Sequence, residues 1–199
     1  MSANPIPLFL DCDPGIDDAI ALGYLVTQSD VEIVGVAASG GNVDTAQVVR
    51  NTQGWLALTG RAEVPLHVGA EPPLAHEASD DADPDYAEET HGDLGGGYAA
   101  LPDPVAEPHA VSAAQAWVDA ARAHPGELIG VLVGPATNPA LALATEPALP
   151  QLTPRPFVLG APFPYRGTTP PTPARTPPYA PPRAPHVFSV LRRRPLRRP

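Results

Sequence analysis

The 199-residue chain has no lysine and a single cysteine, Cys12. Without lysine, a glycine-rich phosphate loop of the kind that closes a lysine onto phosphates is excluded. One cysteine cannot form an internal disulfide, which fits a reducing compartment. No apolar run approaches the ~20 residues of a membrane span. The opening "MSANPIPLFLDC" lacks a basic stretch and carries only a short apolar run, so no signal peptide and no membrane partner are expected, and the expected location is cytoplasmic. Acid is missing from the whole end of the chain. All 22 acidic residues lie at or before Glu146, against only three arginines there (Arg50, Arg61, Arg122), which leaves −19. Beyond Glu146 come nine arginines and 16 of the 29 prolines, with no acid at all. The acidic portion lacks the cationic side chains that neutralise phosphates, so it suits a cation and not a nucleic acid.

What is present alternates between apolar runs and amphipathic stretches. "IPLFLD", "VEIVGVAAS", "VPLHVG" and "ELIGVLVG" read as buried strands, and "RPFVLG" as a further strand. Helices are expected from about Asp17 to Val26, with Asp17 or Asp18 as cap, from Thr45 to Thr59, over "AVSAAQAWVDAARAH", and after "GPATN". Residues 70–108 have no clear period and read as a long loop. Strand–helix alternation with apolar strands predicts an α/β fold, a Rossmann-like, mostly parallel sheet with helices on both faces. Residues 1–167 would form that domain. The Pro/Arg-rich tail 168–199 is expected to be disordered, because proline removes backbone donors and clashes within helices.

"DCDPGIDD" places Asp11 and Asp13 at a strand end and Asp17 and Asp18 at the start of a helix, with Pro14-Gly15 turning the second pair back toward the first. Carboxylates of this density suit a hard cation, Ca²⁺ or Mg²⁺. The bland reading is a capped turn with solvated acids, but capping needs fewer of them. Cys12, between two aspartates, reads as a small buried residue and not a nucleophile.

"DCDPGIDDA" resembles the N-terminal signature of the inosine–uridine-preferring nucleoside hydrolases. The resemblance continues through Gly41-Asn42, Arg50-Asn51, His91-Gly92 and "GPATNPALAL", covering about residues 6–167. It implies a truncated version of that family's fold, and hydrolysis of the N-glycosidic bond of ribonucleosides to ribose and free base on a Ca²⁺ site. By resemblance, Asp13 is both metal ligand and the base that deprotonates the attacking water. Asp18 and the backbone carbonyl of Thr137 are further metal ligands. Asp17 and Asn42 hold ribose hydroxyls, and Asp11 orients its neighbours. His91 would reach the ribose or the metal-bound water, or else be a loop histidine in a glycine-rich segment. The partner is then a small-molecule ribonucleoside, with no specific nucleic acid, and the family forms dimers and tetramers.

Members of the family continue well beyond the length of this chain and draw a further metal-binding Asp from their second half. No acid follows Glu146 here, so that ligand is missing and little or no activity is expected of the chain alone. Abundant Arg, Pro and Ala without Lys is what an out-of-frame GC-rich stretch produces, and a reading-frame shift near residues 155–167 accounts for the tail; an evolved arginine/proline tail is the rival. Two other functions are alternatives. A haloacid-dehalogenase-type Mg²⁺-dependent phosphatase would use Asp11 as nucleophile, but that family requires a lysine. The other is an inactive fragment that binds only ribose or metal.

Overall fold

The structure is a computed structural model that describes residues 4–70 and 86–159. The tail 168–199, the boundary after residue 167 and the acids at 77–85 lie outside the described residues. Five strands, β1 (Ile6–Cys12), β2 (Val31–Ala38), β3 (Leu66–Val68), β4 (Ile129–Leu132) and β5 (Arg155–Val158), form one sheet. Its order is β3-β2-β1-β4-β5 and every pairing is parallel. The strand order therefore reverses beside β1, where open α/β sheets leave a crevice beyond their C-terminal strand ends.

Alternation along β1 sorts the core into two layers. Leu8, Leu10 and Cys12 pack with α1 (Ile16–Val26) and α2 (Thr45–Leu58) on one face. Phe9 points to the other, against α4 (Ala113–Ala123), α5 (Thr137–Thr145) and α6 (Leu149–Leu152). Helices thus cover both faces, as the apolar strands predict. Asp44 caps α2 by accepting from the Gln47 amide at 2.8 Å, and Ser112 occupies the same role in α4. Proline is tolerated in the first turn of α5, at Pro139, where the backbone N–H groups have no intrahelical partner.

Two features depart from the sequence reading. The Gly15 residue before α1 offers no side-chain cap, and neither Asp17 nor Asp18 acts as one; both sit inside the first turn, where acid suits the helix dipole. Residues 70–108 are not loop throughout, since α3 (Glu88–His91) forms within them.

The second layer shapes the site from below. Phe9 stands between Gly35 of β2 and Gly130 of β4, reached through a register shift in which Leu8 faces Ile33 but Phe9 faces Gly35. A Cβ on Gly35 would lie 2.7 Å from the Phe9 ring, and one on Gly130 2.6 Å from the Trp117 ring. The missing side chains let both rings lie close to the sheet, with centroids 4.7 Å apart. Trp117 is thereby brought under Asp11, the next residue of β1 on that face.

Candidate active site

Asp11 is wholly buried, yet each carboxylate oxygen is satisfied. Its Oδ1 accepts from Ser39 Oγ at 2.6 Å and its Oδ2 from Trp117 Nε1 at 2.8 Å. Asn138 Nδ2 adds longer contacts to both oxygens at 3.3 Å. Burial pushes the Asp11 carboxyl up to about 6, and these donors pull against that rise. Its oxygens are turned into the protein, so it supports the site without facing the crevice.

Asp13 lies in a cradle of two glycines. A Cβ on Gly41 would sit 2.2 Å from Asp13 Oδ2, and one on Gly134 3.1 Å from Oδ1. The Asn42 amide N–H donates to Oδ2 at 3.0 Å, while Asn42 Nδ2 donates to the Asp13 carbonyl at 2.7 Å. Asn42 therefore secures Asp13 twice. Burial and then the Asp18 charge raise the Asp13 carboxyl well above the usual range. Asp18 is buried too, and burial followed by the charge of Asp17 lifts it to about 6.

Two buried carboxylates that repel one another call for a positive partner. Asp18 Oδ1 has no hydrogen-bond partner among the described residues, and neither has Thr137 Oγ1 at the head of α5. Two carboxylates with an unpaired buried oxygen are the donors of a hard divalent cation, so the residues present fit one. Among the described residues no three His, Cys, Asp or Glu side chains group to hold a metal. An ion here would take its other ligands from backbone oxygens and water.

His91 is drawn into the same constellation. Its Nδ1 accepts from the Ile16 amide at 3.1 Å, so α1 is capped by a side chain 75 residues away in sequence. The neutral ring then carries its proton on Nε2, which faces Asp17 Oδ1 at 3.9 Å. Asn42 and His91 meet over Gly15, where a Cβ would come within 2.7 and 2.8 Å of them. Asp17 projects outward with its side chain 70% exposed. The structure thus brings Asp13, Asp17, Asp18, Asn42 and His91 together, places Thr137 where β4 leads into α5, and sets Asp11 beneath.

The supporting roles of several residues are absent from the sequence reading. Trp117, Ser39 and Asn138 carried no signal as partners of Asp11. Gly41 and Gly134 stand in motifs that carry the family resemblance, but nothing in the sequence marks them as the walls around Asp13. Asn51, part of the "RN" pair, donates to the Leu94 carbonyl at 2.7 Å and so anchors the loop after His91. His67 and His109 lie with ring centroids 4.9 Å apart and their planes tilted by 52°, on an isolated parallel bridge.

A parallel sheet with buried acids at the switch point beside β1 defines a Rossmann-like α/β protein. The chain belongs to the family of inosine–uridine-preferring nucleoside hydrolases, which matches residues 8–175. It is 34% identical over 155 residues to the pyrimidine-specific ribonucleoside hydrolase RihA of Enterobacter sp. (strain 638), covering 78% of this chain and 48% of that protein. A plant nucleoside hydrolase superposes with a TM-score of 0.81 at 26% identity, over 92% of this chain and 56% of its own. A purine-preferring ribonucleoside hydrolase from Gardnerella vaginalis gives 0.73 at 28%, over 81% and 51%. The chain spans about half the length of the relatives it matches. The family match decides against the phosphatase alternative. Among the described residues no helix is long and apolar enough to cross a membrane.

Proposed function

We propose that the chain carries the metal- and ribose-binding half of a ribonucleoside hydrolase site, whose reaction cleaves the N-glycosidic bond to ribose and a free base. The observation that carries this reading is the buried Asp13–Asp18 pair, held in its glycine cradle with Asp18 Oδ1 unpartnered. The carboxylates of Asp13 and Asp18 and the backbone carbonyl of Thr137 would hold Ca²⁺. Once bound, the ion would offset their repulsion and make a coordinated water more acidic.

Asp13 takes the proton of the attacking water, a role suited to a carboxylate whose proton affinity is raised. Asp17 and Asn42 bind the ribose hydroxyls at the mouth of the crevice, with His91 Nε2–H beside them on the sugar. Asp11, fixed by its three donors, keeps the end of β1 in place. Carboxylates around the ribose favour the oxocarbenium-like transition state of glycoside cleavage. Relatives named for pyrimidine and for purine nucleosides share this fold, and ribonucleosides are the substrate class common to them. The chain's partner in this reading is a small-molecule ribonucleoside in the cytoplasm, with the chain assembling as a dimer or tetramer.

Among the described residues two carboxylates are available to the ion, and affinity follows ligand charge, so slow catalysis is expected of the chain alone. The test is release of free base from uridine and inosine, followed chromatographically with Ca²⁺ and with chelator. Slow, Ca²⁺-dependent release that falls roughly 10²-fold or more in Asp13→Asn is expected. Release unaffected by both chelator and Asp13→Asn would contradict the assignment.

A further inference from the structure

We propose that Asn138 is a positioning residue of this site: it fixes the first turn of α5, and with it the Thr137 carbonyl, against the ends of β1, β2 and β3. The inference rests on the metal reading above and names the residue that sets its geometry. Asn138 is wholly buried. Its Nδ2 donates to Ser39 Oγ at 2.7 Å, just past β2, and contacts both Asp11 oxygens at 3.3 Å, on β1. Its Oδ1 accepts from the Ala70 amide at 3.0 Å, just past β3. One amide thus joins three strand ends to one helix.

Nothing else at that helix start does this work by capping. Ala136 precedes α5 and offers no side-chain cap, and Thr137 Oγ1 has no partner among the described residues. Thr137 is the first residue of α5 and Asn138 the second, so the contacts of Asn138 set where the Thr137 backbone lies. The same side chain grips Asp11, two residues before Asp13, so both flanks of the proposed cation site are referred to one buried group. Only a side chain with donors and an acceptor satisfies this position. An aspartate would set a second carboxylate against Asp11, and an apolar residue would leave the Ala70 amide without its acceptor and remove a donor from Ser39 Oγ and Asp11.

The test is Ca²⁺ binding by isothermal titration calorimetry on the full chain, with thermal unfolding of the metal-free protein measured in parallel. Asn138→Asp and Asn138→Ala are compared with Leu56→Ala, a core truncation in α2 away from the site. Partners that orient metal ligands typically contribute 10- to 100-fold in affinity. Both Asn138 variants should lose Ca²⁺ affinity on that scale, while Leu56→Ala loses thermal stability but keeps wild-type affinity. Equal affinity in Asn138→Ala and wild type overturns the proposal. If the Asn138 variants do not fold, Ser39→Ala decides: it removes one Asn138 contact and should weaken Ca²⁺ binding several-fold, and unchanged affinity overturns the proposal. A wild-type chain that binds no Ca²⁺ removes the metal reading and this inference together. Wild-type binding that survives every variant removes this inference alone.

Discussion

Replacing Gly41 by alanine probes the cradle around Asp13 with a single methyl group. The new Cβ would lie 2.2 Å from Asp13 Oδ2 and 3.0 Å from both Asp13 Cγ and Pro135 Cγ. Ordinary contact begins near 3.4 Å, so the carboxylate must retreat by about 1 Å or the turn must open. Either movement breaks the 3.0 Å hydrogen bond from the Asn42 amide to Oδ2. Overpacking a tight site costs about 1–3 kcal/mol, and a hydrogen bond to a charged group contributes about 1.5–3 kcal/mol. Relief of the Asp13–Asp18 repulsion offsets part of this, leaving a destabilisation of about 2–4 kcal/mol. That corresponds to a fall of roughly 5–15 °C in Tm for a domain of this size. Gly23, inside α1, is the matched control, because a Cβ there meets nothing within 4 Å. Gly23→Ala should stabilise by about 0.5–1 kcal/mol, the ordinary gain of alanine over glycine in a helix. Urea denaturation of both variants measures the difference. A Gly41→Ala protein as stable as Gly23→Ala, with Ca²⁺ binding intact, would refute the cradle.

Two further perturbations address the charges and the cap. Asp11 has its folded-state pKa raised to about 6 from an ordinary value of 3.8, so the folded chain binds more protons between those values. Its contribution makes the protein lose stability as pH rises from about 4 to 6, by about 3 kcal/mol at most; Asp11→Asn should remove that part of the slope in metal-free denaturation curves, and an unchanged slope would count against it. His91→Ala deletes the acceptor for the Ile16 amide, a loss of about 1 kcal/mol on the scale of helix caps. Hydrogen exchange at the start of α1 should then quicken roughly fivefold, whereas unaltered exchange would show that water replaces the imidazole without cost.

The parts of the fold that were legible in the sequence are those set by local pattern. Apolar runs marked all five strands, with burial on both faces leaving little alternation in the central β1 and β2, and "DCDPGIDD" identified the strand end and helix start that hold the acids. The partners of Asp11 were not legible, because Ser39, Trp117 and Asn138 lie 28, 106 and 127 residues away from it. Only the folded sheet brings them together, and only the glycines at 35 and 130 let the aromatic layer settle low enough to reach it. The cap of α1 was misplaced for a related reason. Propensity favours aspartate at a helix start, but Asp18 is turned inward beside Asp13 and Asp17 outward to solvent, so the acceptor comes from His91 instead. Charge composition separated the acidic body from the arginine-rich end, and the matches to relatives cover about half of their length.

The central claim is that Asp13 and Asp18 are ligands of a divalent-cation site, and calorimetric titration of Ca²⁺ into the wild-type chain tests it most directly. One ion per chain is predicted, with a Kd on the order of 10⁻⁴–10⁻³ M, the range of weakly charged sites, and with binding lost in both Asp13→Asn and Asp18→Asn. A wild-type chain that takes up no Ca²⁺, or one whose binding survives both substitutions, would contradict it.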